Sequence, residues 1–531
     1  MANALDKGST IAVIGSGAMG SGIAQVAAAA GHTVRLFDTR PDAVAQAIAG
    51  IGKAFARLVE KGRMGAAEAD LARERLLPMH ALQEARDCVL AVEAVVEDLE
   101  VKRSLFAELE AVVGPDCILA TNTSSISVTA IAARLQRPER LVGMHFFNPV
   151  PLMALVEVIS GVATDKSVAD TVHATASAWG KNPVHAKSTP GFIVNRVARP
   201  YYAEALRLLQ EGAGDAATLD AVMREAGGFR MGPFELMDLI GHDVNFSVTR
   251  SVFDAYFGDQ RYLPSTLQQE LVNAGFLGRK SGRGFFRYGE GVPAPQPQSE
   301  PPRACPKELR VTHVKDVQAP AFDALHAVLA ERLKASGVSV SHPGLLDGVD
   351  LFEAPALHAG GASIYLTDGR SATQRAADDG VRDTVLFDLL LDPAKATRIA
   401  LARADQCSEA AWHGAVGLFQ EAGFAVTRLD DVPGMAVMRT VAMLANEAAD
   451  AVNQGVCSAA AVDLAMQKGV NYPRGPLAWA DAIGLRQVLA VLTHLAAGYG
   501  EDRYRVSPLL RRRIAASAFG DQPRGARFHA Q

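Results

Sequence analysis

His145 sits near the end of the apolar run Leu141 to Phe146, and Glu157 sits inside a second run, Leu155 to Ile159. If both runs are strands, the two side chains can meet. An imidazole titrates near neutral pH and can take a proton from a hydroxyl. A carboxylate on its other nitrogen fixes the tautomer and stabilises the imidazolium that forms, as in a catalytic triad without its nucleophile. Read singly, His145 is an ordinary hydrogen-bonded histidine and Glu157 a solvated strand-end residue; the chemistry lies in the pairing. A second set is Gly15-Ser16-Gly17-Ala18-Met19-Gly20, which follows the apolar run Thr10 to Ile14 and opens the Ala-rich stretch Ala18 to Ala30. Gly15, Gly17 and Gly20 let the backbone turn tightly, and the free N–H groups of a helix start there, Ala18 and Met19 among them, attract a pyrophosphate. Asp38 ends the next run, Thr33 to Phe37, where a carboxylate accepts from a ribose 2′-OH and repels a 2′-phosphate. This favours NAD over NADP, with Arg40 the nearby residue that speaks the other way.

These residues need a sheet to hold them. The runs at Thr10–Ile14, Thr33–Phe37, Cys88–Val92, Cys117–Thr121, Leu141–Phe146 and Leu155–Ile159 alternate with helical patterns, which implies a mostly parallel sheet with ligands beyond its strand ends. From about Pro190 the pattern becomes all-helical and lasts to Gly282–Phe286, and six prolines between Pro293 and Pro306 then mark a segment that cannot form a core. Pro190-Gly191 recurs 243 positions later as Pro433-Gly434. The same offset pairs Arg196 with Arg439, Glu204 with Glu447, Gly212 with Gly455, Asp220 with Asp463, Gly232-Pro233 with Gly475-Pro476 and Asp238 with Asp481. The expected fold class is therefore an α/β Rossmann NAD-binding domain plus an all-helical domain, followed by a degenerate Rossmann-like segment and a second copy of the helical domain. The divisions read as 1–188, 189–289, a Pro-rich linker 290–306, 307–430 and 431–531. Strand-like runs at Ser363–Thr367, Thr384–Phe387, Ile399–Leu401 and Phe424–Thr427 furnish the reduced partner.

Composition excludes other classes. Of 531 residues, 21% are charged and 49% apolar, with a net charge of −5, so no basic excess suggests nucleic acid. Five scattered cysteines have no metal spacing, so no metal is expected, and they fit a reducing compartment. No apolar stretch is long enough to span a membrane and no leader pattern opens the chain, so a cytoplasmic protein without a membrane partner is expected.

The motifs resemble those of the short-chain 3-hydroxyacyl-CoA dehydrogenases. They are Gly15–Gly20, Val92-Glu93-Ala94-Val95-Val96-Glu97, Thr121-Asn122-Thr123-Ser124-Ser125, His145–Pro149, Leu155–Ile159, Pro190–Arg196, Gly232-Pro233-Phe234-Glu235 and Gly278–Phe285. The resemblance implies NAD-dependent oxidation of a (3S)-3-hydroxyacyl-CoA to the 3-oxoacyl-CoA. His145 would be the base and Glu157 its partner, with Ser124 and Asn195 positioning the substrate oxygen. Glu97, Lys102, Ser124, Asn148 and Lys280 would join Asp38 and the glycine loop as cofactor contacts, and Lys61 and Ser124 would contact CoA. Ala54 stands where the family can place a CoA-binding serine. Singly, Ser124 and Asn122 could satisfy a turn, Asn195 could cap a helix, and the three lysines could be solvated.

The long form is similar to bacterial members of phenylacetate breakdown that act on 3-hydroxyadipyl-CoA, and 3-hydroxybutyryl-CoA is the alternative substrate. A non-catalytic NAD-binding protein, as among lens crystallins of the superfamily, is the alternative class. Arg199, Arg207 and Arg230 are candidates to meet a far carboxylate. In the second half the 243 offset sets Ala400 at Glu157 and Met438 at Asn195, and the region facing His145 holds no histidine, so a structural copy is expected. Since the helical domain of single-copy members mediates dimerisation, the two copies are expected to form an intrachain pseudo-dimer, with a homo-oligomer possible beyond it.

Overall fold

The first sheet grows from short runs of Ile, Val, Leu and Ala buried on both faces, the pattern of parallel strands covered by helices. The computed structural model describes residues 3–313, 318–342, 354–517 and 526–529. Its first eight strands are β1 (Thr10–Ile14), β2 (Thr33–Phe37), β3 (Leu76–Pro78), β4 (Leu90–Glu93), β5 (Ile118–Thr121), β6 (Leu141–Phe146), β7 (Leu155–Ser160) and β8 (Asn182–Lys187). They lie in the order β3-β2-β1-β4-β5-β6-β7-β8. Neighbours are parallel except β6 and β7, whose antiparallel register sets His145 opposite Glu157. The strands read from sequence as Thr10–Ile14, Thr33–Phe37 and Leu141–Phe146 match to the residue. Neither β3 nor β8 was anticipated. Both are edge strands, one of three residues and the other carrying Pro183, His185 and Lys187, so neither has the continuous apolar run of an interior strand.

Contacts divide the chain into two units, Met1–Arg196 with Gln454–Asn471, and Val197–Asn453 with Tyr472–Gln531. The second unit holds the first helical copy, with helices Arg199–Gln210, Ala216–Glu225, Pro233–Ile240, His242–Ala255 and Thr266–Asn273. The second copy repeats the set as Val437–Asn453, Ala459–Gly469, Pro476–Ile483, Leu485–Tyr499 and Pro508–Ala516, and of these Ala459–Gly469 belongs to the first unit. The duplication extends to hydrogen bonds. Asp238 accepts from the N–H groups of Phe285 and Phe286, and Asp481 accepts from those of Phe528 and His529, each 243 positions on. Phe192 and Met435 also share a rare positive φ, 47° and 54°, each after a glycine.

Between the copies lies a seven-stranded sheet. Its strands are β9 (Glu308–Thr312), β10 (Ser339–Ser341), β11 (Ala356–Ala359), β12 (Ala362–Leu366), β13 (Thr384–Phe387), β14 (Arg398–Arg403) and β15 (Ala425–Arg428), in the order β10-β9-β11-β12-β13-β14-β15. From β12 to β15 the pairings run parallel, antiparallel, parallel, as they do from β5 to β8. The reduced domain has thus kept the half of the Rossmann sheet that carries His145 and Glu157 in the first copy. The half built from β1 to β4 has no equivalent order here; in its place are β9 to β11, joined to each other and to β12 largely by antiparallel pairings.

The Pro-rich segment is extended, but it is not a free tether. N–H groups of Gln298, Glu300 and Arg303 bond Thr218 Oγ1, the Val426 carbonyl on edge strand β15, and Gln420 Oε1. An extended chain has unpaired backbone groups, and the open edge of β15 supplies partners. Among the described residues no helix is long and apolar enough to cross a membrane.

Candidate active site

Glu157 is fully buried on β7, and a buried carboxylate must be matched by donors on every side. Its Oε2 meets Nδ1 of His145 at 2.7 Å. Its Oε1 accepts from the N–H groups of Ile193 and Val194, both at 3.0 Å. These amides open the short helix Val194–Val197, and the left-handed turn at Gly191 and Phe192 aims them at the carboxylate. His145 is 5% exposed and stands beside the rings of Phe147 and Phe192. With Nδ1 engaged, Nε2 carries no protein hydrogen bond among the described residues. A second buried pair, His242 with Asp238, shows the contrast: both its ring nitrogens are bonded, to Asp238 Oδ1 at 2.7 Å and to Gln268 Nε2 at 3.3 Å. That histidine is a structural one.

The loop after β5 comes to the same region of the first unit. Asn195 Nδ2 donates to the Ser124 carbonyl at 3.3 Å, and Asn122 Oδ1 accepts from the Phe146 N–H, next to His145. The loop is gripped by Glu97, whose Oε1 accepts from the Thr123 hydroxyl at 2.6 Å and the Ser124 N–H at 2.9 Å. Burial works against ionisation of Glu97, but the Thr123 hydroxyl, the Lys102 charge and the Ser124 N–H together hold it below the usual carboxylate range. Lys102 is 1% exposed and sits between Glu93 at 2.5 Å and Glu97 at 3.2 Å. It therefore reaches the site through Glu97. Glu93 also accepts from the Thr121 hydroxyl, which ties β4, β5 and the loop together. Glu93 lies in the quoted motif but was not singled out, because a glutamate closing an apolar strand gives no sign of being buried.

The glycine loop fits a dinucleotide. Gly15 has φ 104°, and a Cβ there would fall 2.5 Å from the Ala94 carbonyl oxygen. A Cβ on Gly20 would fall 1.8 Å from the Gly15 carbonyl oxygen, while one on Gly17 would meet nothing. The loop is closed against the strands and open outward at Gly17 and Ala18, where the helix start has no side-chain cap. Asp38 accepts from the Ser16 N–H at 2.9 Å and Ser16 hydroxyl at 2.7 Å, and its other oxygen accepts from Arg40. Burial opposes its charge, yet the Arg40 and Ser16 hydrogen bonds outweigh that and hold Asp38 far below the usual carboxylate range. It is a fixed anion at neutral pH.

Lys61 is exposed at the end of helix Pro41–Glu60, and Asn148 is exposed before Pro149. Lys280 belongs to the second unit, where it pairs with Asp243 at 2.6 Å. The three arginines separate. Arg207 is held by both oxygens of Glu501 at 2.6 Å, Arg199 is buried and donates to Thr249, and Arg230 is exposed.

In the second unit the corresponding position is altered. Asp388 stands 243 positions after His145, and its N–H bonds the carbonyl of Ala400, the residue at the place of Glu157. Asp388 accepts from the N–H groups of Ala436 and Val437, the counterparts of Ile193 and Val194, and of Met438. An aspartate at the histidine's position thus does the anchoring of the missing glutamate.

Residues 10–189 match the family description "3-hydroxyacyl-CoA dehydrogenase, NAD binding domain". Residues 191–288 and 434–529 both match the C-terminal domain of that enzyme. Residues 364–433 match the "3-hydroxybutyryl-CoA dehydrogenase reduced Rossmann-fold domain". The chain is 43% identical over 504 residues to "3-hydroxyadipyl-CoA dehydrogenase" of Escherichia coli (strain K12), covering 95% of this chain and 97% of the relative. It is 42% identical over 280 residues to "Probable 3-hydroxybutyryl-CoA dehydrogenase" of Bacillus subtilis (strain 168), covering 53% of this chain and 97% of that one. A solved structure, 3-hydroxybutyryl-CoA dehydrogenase from Escherichia coli K12, superposes with a TM-score of 0.85 at 39% identity, covering 97% of this chain and 99% of that chain. With its glycine loop, its histidine–glutamate pair and its duplicated helical domain, the chain belongs to the 3-hydroxyacyl-CoA dehydrogenase family and is an NAD-dependent oxidoreductase.

Proposed function

We propose that His145 is the general base of 3-hydroxyacyl-CoA oxidation, that Glu157 orients it, and that 3-hydroxyadipyl-CoA is the substrate. The observation that carries the first part is the 2.7 Å contact between His145 Nδ1 and Glu157, which leaves Nε2 available to a hydroxyl. The 3-hydroxyl gives its proton to Nε2 as C3 loses a hydride and the carbon–oxygen double bond forms. NAD, held by Gly15–Gly20 and Asp38, supplies the nicotinamide that takes the hydride. Glu157 stabilises the imidazolium, and the Ile193 and Val194 amides keep Glu157 from moving with the proton. Ser124 and Asn195 hold the oxygen whose charge changes along the path, where preorganised polar groups help most. Glu97, Lys102 and Asn148 complete the cofactor surroundings, Lys102 through Glu97, and Lys61 would meet the CoA phosphates.

The substrate reading rests on the relative that matches over nearly the whole chain and bears the adipyl name. The same reading makes the protein a cytoplasmic enzyme whose helical copies form an intrachain pseudo-dimer. The contacts support this by recurring with roles exchanged. Arg196 donates to Gln454, and Arg439 donates to Glu211, its counterpart; the Lys187 N–H bonds the Val456 carbonyl, and the Asp430 N–H bonds that of Ala213. NADH formation across a panel of 3-hydroxyacyl-CoAs tests the substrate. The expected result is a higher kcat/KM for the adipyl than the butyryl thioester; preference for the C4 chain overturns that assignment.

A further inference from the structure

We infer that the second helical copy is a positioning element for the base: residues 454–471 brace the clamp that holds Glu157 against His145. The inference rests on the assignment of that pair as catalytic. The short helix whose first amides bind Glu157 is tied from its other side, because Arg196, two residues after Val194, donates to Gln454 Oε1 at 2.9 Å. The Lys187 N–H at the end of β8 bonds the Val456 carbonyl at 2.9 Å, so the strand beside β7 is fixed to the same segment. Gly469 closes the contact. A Cβ there would lie 2.7 Å from Leu155 Cδ2 and 3.0 Å from Val194 Cγ2. Leu155 is on the strand that carries Glu157, and Val194 is one of the two residues whose amides bind it. Nothing larger than hydrogen fits between the second copy and these two neighbours of Glu157 without something giving way. The Cys457 thiol reports the same proximity, pushed up to about 12 by burial and next by the Glu157 charge.

The second unit supplies an internal control. There Glu211 takes the Arg439 guanidinium, the Asp430 N–H bonds the Ala213 carbonyl, and the clamp holds Asp388, which is no base. Loosening one brace should disturb catalysis, whereas loosening the other should disturb only folding.

The test uses the full-length enzyme, following NADH formation from 3-hydroxybutyryl-CoA and 3-hydroxyadipyl-CoA across pH, together with thermal melts. Gln454→Ala and Gly469→Val are expected to lower kcat about tenfold, since small misplacements of a catalytic group are costly. The KM for NAD should stay within about twofold, because the glycine loop is untouched. The acid limb of the kcat profile should move to lower pH, because a carboxylate held less closely stabilises an imidazolium less. Gly469→Ala, the gentler variant, should shift both in the same directions by less. Glu211→Ala, the mirror of Gln454→Ala, should lower the melting temperature without changing kcat or the profile. The brace is overturned if Gln454→Ala and the Gly469 variants lose no more activity than Glu211→Ala, or if the acid limb stays put. Glu157→Gln run alongside separates the two readings: wild-type kcat in that variant removes the catalytic pair itself, and the brace with it.

Discussion

The two halves of this chain hold the same stretch of sheet and the same helical turn, and they differ at the two residues that face each other across it. In the first half His145 lies opposite Glu157, and the glutamate takes the two amides of the turn. In the second half Asp388 stands at the histidine's place opposite Ala400, and reaches the equivalent amides by itself. The turn needs a carboxyl acceptor in both copies, because buried amides without acceptors are costly. Only the first copy interposes an imidazole, His145, whose Nε2 carries no protein hydrogen bond among the described residues. On the proposed mechanism, the absence of the histidine and the retention of the anchor separate what this architecture needs to fold from what it needs to react.

The largest way to sharpen the contrast lies in the nucleotide loop, which the reduced half lacks. Gly20→Val places side-chain atoms where even a Cβ would overlap the Gly15 carbonyl oxygen. It should abolish saturation with NAD, read by fluorescence titration, while leaving the melting of the second unit in place. Retained NAD affinity would break the assignment of the loop. Asp388→Ala should do the reverse. The amides of Leu389, Ala436, Val437 and Met438 lose their acceptor at a cost of about 4 kcal/mol, while kcat per folded enzyme stays at the wild-type value. A comparable fall in kcat would show that the second clamp takes part in the reaction.

The smallest effect is that variant's pH dependence. Burial, only partly offset by the Met438, Val437, Leu389 and Ala436 amides, pushes the Asp388 carboxyl up to about 6. A folded value above the unfolded one means that its contribution is full below about pH 4. It declines as pH rises through about 6. Denaturation curves should therefore show the cost of Asp388→Ala shrinking by about 2 kcal/mol between pH 4 and pH 7. A cost that grows over this range would contradict the buried, proton-retaining aspartate.

Much of the first half was legible because interior parallel strands and a glycine loop write themselves as continuous apolar runs closed by Gly, Asp or His. The edge strands were not, since β8 is only half covered and β9 to β11 carry mixed polar residues. The constant offset revealed the duplication and the absence of a second histidine, and counting it on from His145 leads to Asp388. Its anchoring role became visible only with the amides of Ala436, Val437 and Met438 around it. The association of residues 454–471 with the first unit had no local signal at all, because a glycine at a helix end, such as Gly469, reads as a stop rather than as a close contact.

The most direct test of the account is turnover by His145→Ala, measured as NADH formation from a 3-hydroxyacyl-CoA with NAD binding checked in the same preparation. The account expects NAD affinity to be kept and kcat to fall by roughly 100-fold or more, the usual contribution of a general base. Turnover near the wild-type rate would contradict it and leave the first copy as inert as the second.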